Sequence, residues 1–270
     1  NKLKSCVRLL RRNPYRLYMA VLMKARRAGL LPLLKNHIGP VQIHLDDSFG
    51  HYIHMMRTGE FEFEAISAMR CFLRPGGVFL DIGANLGYLS AWGMRLVTPA
   101  GRVLAIEPTV AMADQLDALA AMNPDYQVDI HRVAAGEAQH DAEIVLAGDR
   151  MQGSTSLVHD IISDDIAMGK ESVQVVRLDE HISTRDVESI TLVKIDVEGY
   201  EFSALKGMEG WFRDGFAAPI ICELTPHAYT AQGFNLIDIV EYLATWGYRP
   251  CRLSDFSPMD NAALPRLGRV

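Results

Sequence analysis

The sequence predicts an α/β protein: a doubly wound, mostly parallel sheet preceded by a helical N-terminal extension. Two observations carry this. Short runs that are apolar on both faces recur at Val78–Leu80, Val103–Ile106, Val128–Val133, Thr191–Ile195 and Ile220–Cys222, which is how strands sandwiched between helical layers read. Between the first three lie segments of helical spacing, Leu86–Leu96 and Val110–Met122, and strand–helix alternation is the repeating unit of such a sheet. Right-handed crossovers then place both helices on one face.

The remaining elements follow in order. Residues 1–35 read as helical, with Asn13-Pro14 as a break or helix start. Val41–Asp46 alternates like a short strand after Gly39-Pro40. Phe61–Leu73 has helical spacing and stops at Arg74-Pro75-Gly76-Gly77. Strands are expected at Glu143–Leu146 and Val173–Val176, flanking a long loop, Ala147–Ser172, rich in Gly, Ser and Asp. A loop of that length is expected to be functional, as a lid. Phe234–Trp246 is a patterned helix stopped by Gly247, and Tyr248–Leu253 is expected as a final strand. We divide the chain into a basic helical extension, 1–45, and one domain, 46–270, a size at which a single core is ordinary.

Charge is distributed unevenly. The net charge is −6, yet the first 40 residues hold ten Lys and Arg and no acidic residue, leaving 17 basic against 33 acidic residues elsewhere. An acidic body repels a polyanion, which argues against nucleic acid as a partner. The basic N-terminus offers a peripheral contact with an anionic membrane surface or an acidic partner; a solvated helical arm is the plainer reading. Four widely spaced cysteines, Cys6, Cys71, Cys222 and Cys251, form no C-x-x-C pair and fit a reducing compartment. Leu17–Leu34 is broken by Lys24, Arg26 and Arg27, too polar to span a bilayer. A cytoplasmic location is the expectation.

Ligands of an open parallel sheet bind beyond the carboxyl ends of its strands. The first strand ends in Asp81-Ile82-Gly83-Ala84-Asn85-Leu86-Gly87. Gly83 suits a tight turn, and Gly87 lets the next helix pack closely. Glu107 follows the second strand, 24 residues after Gly83, where an acidic side chain can accept both hydroxyls of a ribose. A dinucleotide site wants glycine where Asn85 stands. Asn85 would crowd a pyrophosphate but can bond a zwitterionic amino-acid tail, and Asp81 is unwelcoming to phosphate. The pattern fits S-adenosylmethionine better than NAD, and a Rossmann-like nucleoside site better than a pair of turn glycines.

Phe79–Ser90, Gly101–Pro108, Val193-Lys194-Ile195-Asp196-Val197-Glu198-Gly199-Tyr200-Glu201 and Ile221–Leu224 together resemble the FkbM family of S-adenosylmethionine-dependent methyltransferases. Gly153–Leu157 and Val175–Asp179 are similar to the family's middle segments. The resemblance covers about residues 60–225 and implies a class I methyltransferase fold and O-methylation of a small-molecule or saccharide acceptor. It also implies cofactor contacts at Asp81, Gly83, Asn85, Gly87, Glu107, Pro108 and Asp196. After the third strand the family often has Gly-Asp. Here Gly136-Glu137 follows Ala135, so Ala135 and Glu137 are expected at the adenine.

Methyl transfer from a sulfonium is an in-line displacement, so positioning dominates, with a base useful for a hydroxyl acceptor. Asp196 and Glu198, at i and i+2, face one side if the strand persists. One is then the base or acceptor-positioning group. Alternatively Asp196 holds the cofactor's amino group while Glu198 caps a helix, or, less favoured, both bind a divalent metal. Lys194 is expected to pair with Asp196 or Glu223 and to position the acceptor oxygen. His227 is a candidate base. Ser154, Ser156 and Glu223 are candidate acceptor contacts. The competing readings are an NAD(P)-dependent oxidoreductase on the same fold, against which Asn85 argues, and an inactive cofactor-binding interaction module.

Overall fold

The computed structural model describes residues 37–44, 56, 61–147, 157–158 and 167–259. The expected N-terminal helix and the extension up to residue 36 lie outside these residues, as do Ser154 and Ser156. A small hairpin, β1 (His37–Ile38) and β2 (Val41–Gln42), turns at Gly39-Pro40 and precedes α1 (Phe63–Phe72). Of the alternation read over Val41–Asp46, Val41 and Gln42 pair, and residues 45 and 46 lie outside the described residues.

The centre is a five-stranded sheet with strands β3 (Val78–Ile82), β4 (Arg102–Ile106), β5 (Gln127–His131), β9 (Ile190–Ile195) and β10 (Ile220–Cys222), in the order β10-β9-β3-β4-β5. Every pairing is parallel. A second sheet, with β6 (Ala134–Ala135), β7 (His140–Ala147) and β8 (Ala167–Val176) in the order β6-β8-β7, packs antiparallel across β7 and β8.

Alternation along the central strands sends successive side chains into two separate cores. Phe79, Val103 and Leu192 pack with Trp92 and Met94 of α2 (Tyr88–Val97) and with Leu116 and Leu119 of α3 (Val110–Met122). Both crossover helices thus share one face, as right-handed connections require. On the other face Leu80, Leu104 and Val193 pack with Leu205 of α6 (Glu201–Lys206), Phe212 of α7 (Glu209–Arg213) and Ile239 of α9 (Leu236–Thr245). The helix α9 starts in a capping box formed by Asn235 and Asp238. Short helices α4 (Leu178–His181), α5 (Thr184–Ser189) and α8 (Pro226–Tyr229) complete the described chain.

Two sequence expectations change. The strands around the long loop extend to eight and ten residues, so β8 begins at Ala167, inside the segment expected to be loop. The added residues include polar side chains such as Asp141, Lys170 and Ser172, and the Lys170–Glu143 ion pair (3.2 Å) joins the strands on their solvent side. A half-exposed antiparallel ribbon carries fewer apolar residues than a buried strand. The final strand at Tyr248–Leu253 does not form. Tyr248 instead donates its hydroxyl to the carbonyls of Phe216 and Ala218, and Cys251 makes an isolated bridge with Pro258.

Candidate active site

The chain runs from β3 outward through β4 to β5, then returns to lay β9 and β10 on the opposite side of β3. Strand order therefore reverses between β3 and β9, the place where open α/β sheets bind ligands. Asp81 and Lys194 are cross-strand partners there. The apolar row formed by Phe79 and Leu192 thus turns polar at its carboxyl end.

Lys194 ties the two strand ends together. Its ammonium donates to the Gly83 carbonyl (3.0 Å) and pairs with Asp196 (3.4 Å) and Asp81 (3.7 Å). Burial alone would lower the lysine's pKa, but the carboxylates of Asp196 and Asp81 outweigh it and the pKa rises. Asp81 is fully buried. Burial pushes its pKa up, against the pull of Lys194 and of the Ser90 hydroxyl, which donates to it at 2.6 Å. Lys194 and Asp81 therefore form the floor of the cleft rather than its lining. Glu223, the other partner expected for Lys194, sits at the end of β10 with its N–H on the Ile195 carbonyl.

Gly83 is required by the chain itself. Its φ is +76°, and a Cβ there would stand 1.9 Å from the Asp196 carbonyl oxygen, so the turns after β3 and β9 touch backbone to backbone. A Cβ on Gly87 would meet Leu116 and Leu119 of α3 at 2.8 and 2.9 Å. The helix that Gly87 admits is thus the second crossover helix. Asn85 lies at φ +51°, a left-handed conformation that asparagine adopts more readily than most side chains. Its Oδ1 accepts the Leu86 N–H at 2.7 Å.

Glu107 is buried at the cleft wall. One of its oxygens accepts the Thr109 N–H and hydroxyl (3.0 and 2.7 Å), and the other accepts the Asn85 N–H (2.9 Å). Burial raises its pKa, while these donors and Lys194 act the other way. A carboxylate offers about four acceptor sites, so three donors leave room for one ribose hydroxyl rather than two. Thr109 was not singled out in the sequence; its signal was a hydroxyl two residues beyond the glutamate.

Gly83, Asn85, Glu107, Pro108, Ala135, Asp196 and Glu198 line one cleft, with Met112, Ile144, Leu157 and Tyr200 among the other residues of its wall. These last four could not be assigned from spacing, because they come from four separate elements. The cavity encloses about 60 Å³, well under the roughly 300–1,000 Å³ of ordinary ligand sites. A nucleoside therefore enters only if the apolar wall gives way.

The strand does not continue to Glu198. It ends at Ile195, and Glu198 and Gly199 both take positive φ, +47° and +98°. Asp196 and Glu198 share the cleft through a turn, not through strand alternation. Two other expected residues are not brought in. The Glu137 carboxylate pairs with Lys206 at 2.9 Å, outside the cleft, and its N–H donates to Ser203, so the expected adenine contact lacks its geometry. His227 is exposed on the single turn α8 and does not line the cleft. Among the described residues no three His, Cys, Asp or Glu side chains converge in a metal-binding group.

A reversing parallel sheet with a carboxylate at each of three strand ends defines an open α/β protein with a candidate ligand cleft at its switch point. Comparison with known proteins places it more narrowly. A family profile described as "Methyltransferase FkbM domain" matches residues 81–250, more than half of the chain, and the chain belongs to that family. A curated relative, the AMB antimetabolite synthetase AmbE of Pseudomonas aeruginosa, is 24% identical over 207 residues. The match takes in 62% of this chain but 10% of that much longer protein. A crystal structure from Clostridium thermocellum described as an rRNA-methylase aligns with TM-score 0.25 and 18% identity, over 27% of this chain and 41% of that one. A likeness of that extent says nothing of function.

Proposed function

We propose that the protein transfers a methyl group from S-adenosylmethionine to a hydroxyl of a small-molecule or glycan-type acceptor. One observation carries the reading. Asp196 Oδ1 is buried at the switch point without a hydrogen-bond partner among the described residues, in the same cleft as Glu107. A buried acceptor left unsatisfied is costly, and an ammonium group such as the cofactor's amino terminus would satisfy it.

Gly83, Asn85, Glu107, Pro108, Ala135 and Asp196 would hold the cofactor. When bound, it supplies a methyl group on a sulfonium that departs as a neutral thioether, so no general acid is needed. Glu107 keeps one acceptor site for a ribose hydroxyl. Asp196, anchored through its other oxygen to Lys194, presents Oδ1 to the amino group. Glu198 lines the same cleft and in this reading accepts the acceptor's hydroxyl proton or orients that hydroxyl. Lys194 acts from below by fixing Asp196 and Gly83. Ser154, Ser156 and Glu223 stay assigned to the acceptor, and the basic segment before residue 46 to a peripheral contact. For location the reading is cytoplasmic, supported by the free thiols of Cys71, Cys222 and Cys251.

Titration calorimetry with S-adenosylmethionine, S-adenosylhomocysteine and NAD tests the cofactor. Heat with the first two and none with NAD is expected; the reverse would refute the assignment. Release of S-adenosylhomocysteine across a panel of hydroxylated acceptors tests the transfer itself.

A further inference from the structure

We propose that Glu201, together with Gln232, is a positioning residue that fixes the turn carrying Glu198 and thereby aims that carboxylate into the cleft. The inference rests on the reading of Glu198 as an acceptor-side group. It concerns residues that reading leaves unused.

The turn after β9 is held mainly from outside. Its residues Glu198 and Gly199 are both left-handed, and the backbone spans it with one long bond, Tyr200 N–H to the Val197 carbonyl at 3.3 Å. Side chains hold the polar groups of Gly199. Glu201 Oε1 accepts the Gly199 N–H at 2.7 Å, and Gln232 Nε2 donates to the Gly199 carbonyl at 2.9 Å. Both clamps are themselves anchored. The second oxygen of Glu201 accepts the Tyr229 hydroxyl (2.8 Å), and that hydroxyl accepts the Thr225 N–H (2.8 Å). Gln232 also donates to the Ala228 carbonyl (3.0 Å). Glu201 and Tyr229 are both fully buried.

A strained turn persists only where its surroundings over-determine it, and here a buried carboxylate and a carboxamide do so from two elements. The segment after β10 thus sets the place of a side chain that β9 delivers. Burial pushes Glu201 up to about 7, against the Gly199 N–H and the Tyr229 hydroxyl. The other titratable groups that bear on it are Asp196 beyond β9 and Cys222 at the end of β10. A proton gained by Glu201 meets an oxygen already facing the Tyr229 hydroxyl, and the hydroxyl must turn away to receive it. The clamp on Gly199 therefore changes across neutral pH.

The test uses selective ¹⁵N labelling of the full chain. The Gly199 amide is expected far downfield, moving with pH around a midpoint near 7. In Glu201→Gln, which can still accept the N–H, the midpoint disappears. In Tyr229→Phe it stays but shifts. A Gly199 resonance whose position and pH dependence are the same in Glu201→Gln as in the unchanged protein overturns the proposal. Release of S-adenosylhomocysteine in the panel of hydroxylated acceptors supplies the second arm, in Glu198→Gln, Glu201→Gln and the double variant. If Glu201 acts through Glu198, the double variant turns over no more slowly than Glu198→Gln alone; independent, multiplying losses overturn the proposal. Absence of any cofactor binding to the unchanged protein marks a failure of the methyl-transfer reading instead, and the amide titration then decides this inference by itself.

Discussion

Replacing Lys194 with Met removes the only cation paired with Asp81 among the described residues. Asp81 is fully buried, and the Ser90 hydroxyl is the one hydrogen bond it would retain. Asp196, whose side chain is 22% exposed, can recruit water in place of the ammonium. Most of the penalty therefore falls on Asp81. Removing one partner of a buried pair costs roughly 3–5 kcal/mol, because a bare charge is left behind. With a urea dependence of roughly 3 kcal/mol per molar, the upper end for small domains, the midpoint should fall by about 1 M or more. The pH dependence has a definite sign. Burial already holds the Asp81 pKa above its ordinary value with Lys194 present, and losing Lys194 raises it further. A carboxyl whose folded pKa is raised contributes stability below its unfolded pKa and loses it as pH climbs through the folded one. The deficit of Lys194→Met relative to the unchanged protein should thus be large at pH 8 and shrink at pH 5. Adding Asp81→Asn should recover more than half of it at pH 8. A midpoint unmoved by Lys194→Met, or an Asp81→Asn that adds its own full cost, would refute the pairing.

Three further outcomes follow from the same geometry. Gly83→Ala places a Cβ 1.9 Å from the Asp196 carbonyl at φ +76°. A left-handed residue costs roughly 1–2 kcal/mol and an overpacked one roughly 1–3, so denaturation should show a loss of about 2–5 kcal/mol; full stability would mean that the two turns are not in contact. Glu107→Gln cannot accept from both Thr109 and Asn85 while also serving a ribose. Losing a hydrogen bond to a charged group, roughly 1.5–3 kcal/mol, should weaken S-adenosylmethionine binding about 10- to 100-fold by calorimetry, and unaltered affinity would make Glu107 purely structural. Glu201, moved from 4.5 to about 7, contributes roughly 3 kcal/mol that is present below pH 4.5 and lost as pH rises through 7. Denaturation midpoints from pH 4.5 to 8 should show Glu201→Gln gaining on the unchanged protein by that order, and parallel curves would contradict it.

The central sheet was legible because its signal is composition that burial enforces. Val78–Ile82 is buried along its whole length, so its sequence has no room for alternation, and the parallel class follows. Strand order is also implicit in a chain that alternates strand and helix and then returns. The ribbon of β7 and β8 was only half legible, since Asp141, Glu143, Lys170 and Gln174 are what a solvent-facing strand and a polar loop have in common. Tyr248–Leu253 failed for the opposite reason. It is apolar enough to read as a strand, but Tyr248 spends its hydroxyl on Phe216 and Ala218, and the segment folds back on itself through the Cys251–Pro258 bridge instead of extending the sheet.

The site shows where spacing stops being informative. The positions of Gly83, Glu107 and Asp196 follow from strand ends, because each sits one or two residues past a strand whose direction is fixed. What those residues touch does not follow. Gly83 reads as a place for ligand to approach, yet the closest atom to its missing side chain is the carbonyl of Asp196, 113 positions further along the chain. Asn85 reads as a choice of ligand, yet its conformation and its bond to Leu86 already call for asparagine. Glycine and asparagine at a switch point thus report first on how two strand ends are brought together. Residues that bear on the ligand itself are better sought among side chains with an unmet need. By that criterion the buried Oδ1 of Asp196 is stronger grounds for a cationic ligand than the glycine pattern that first suggested one.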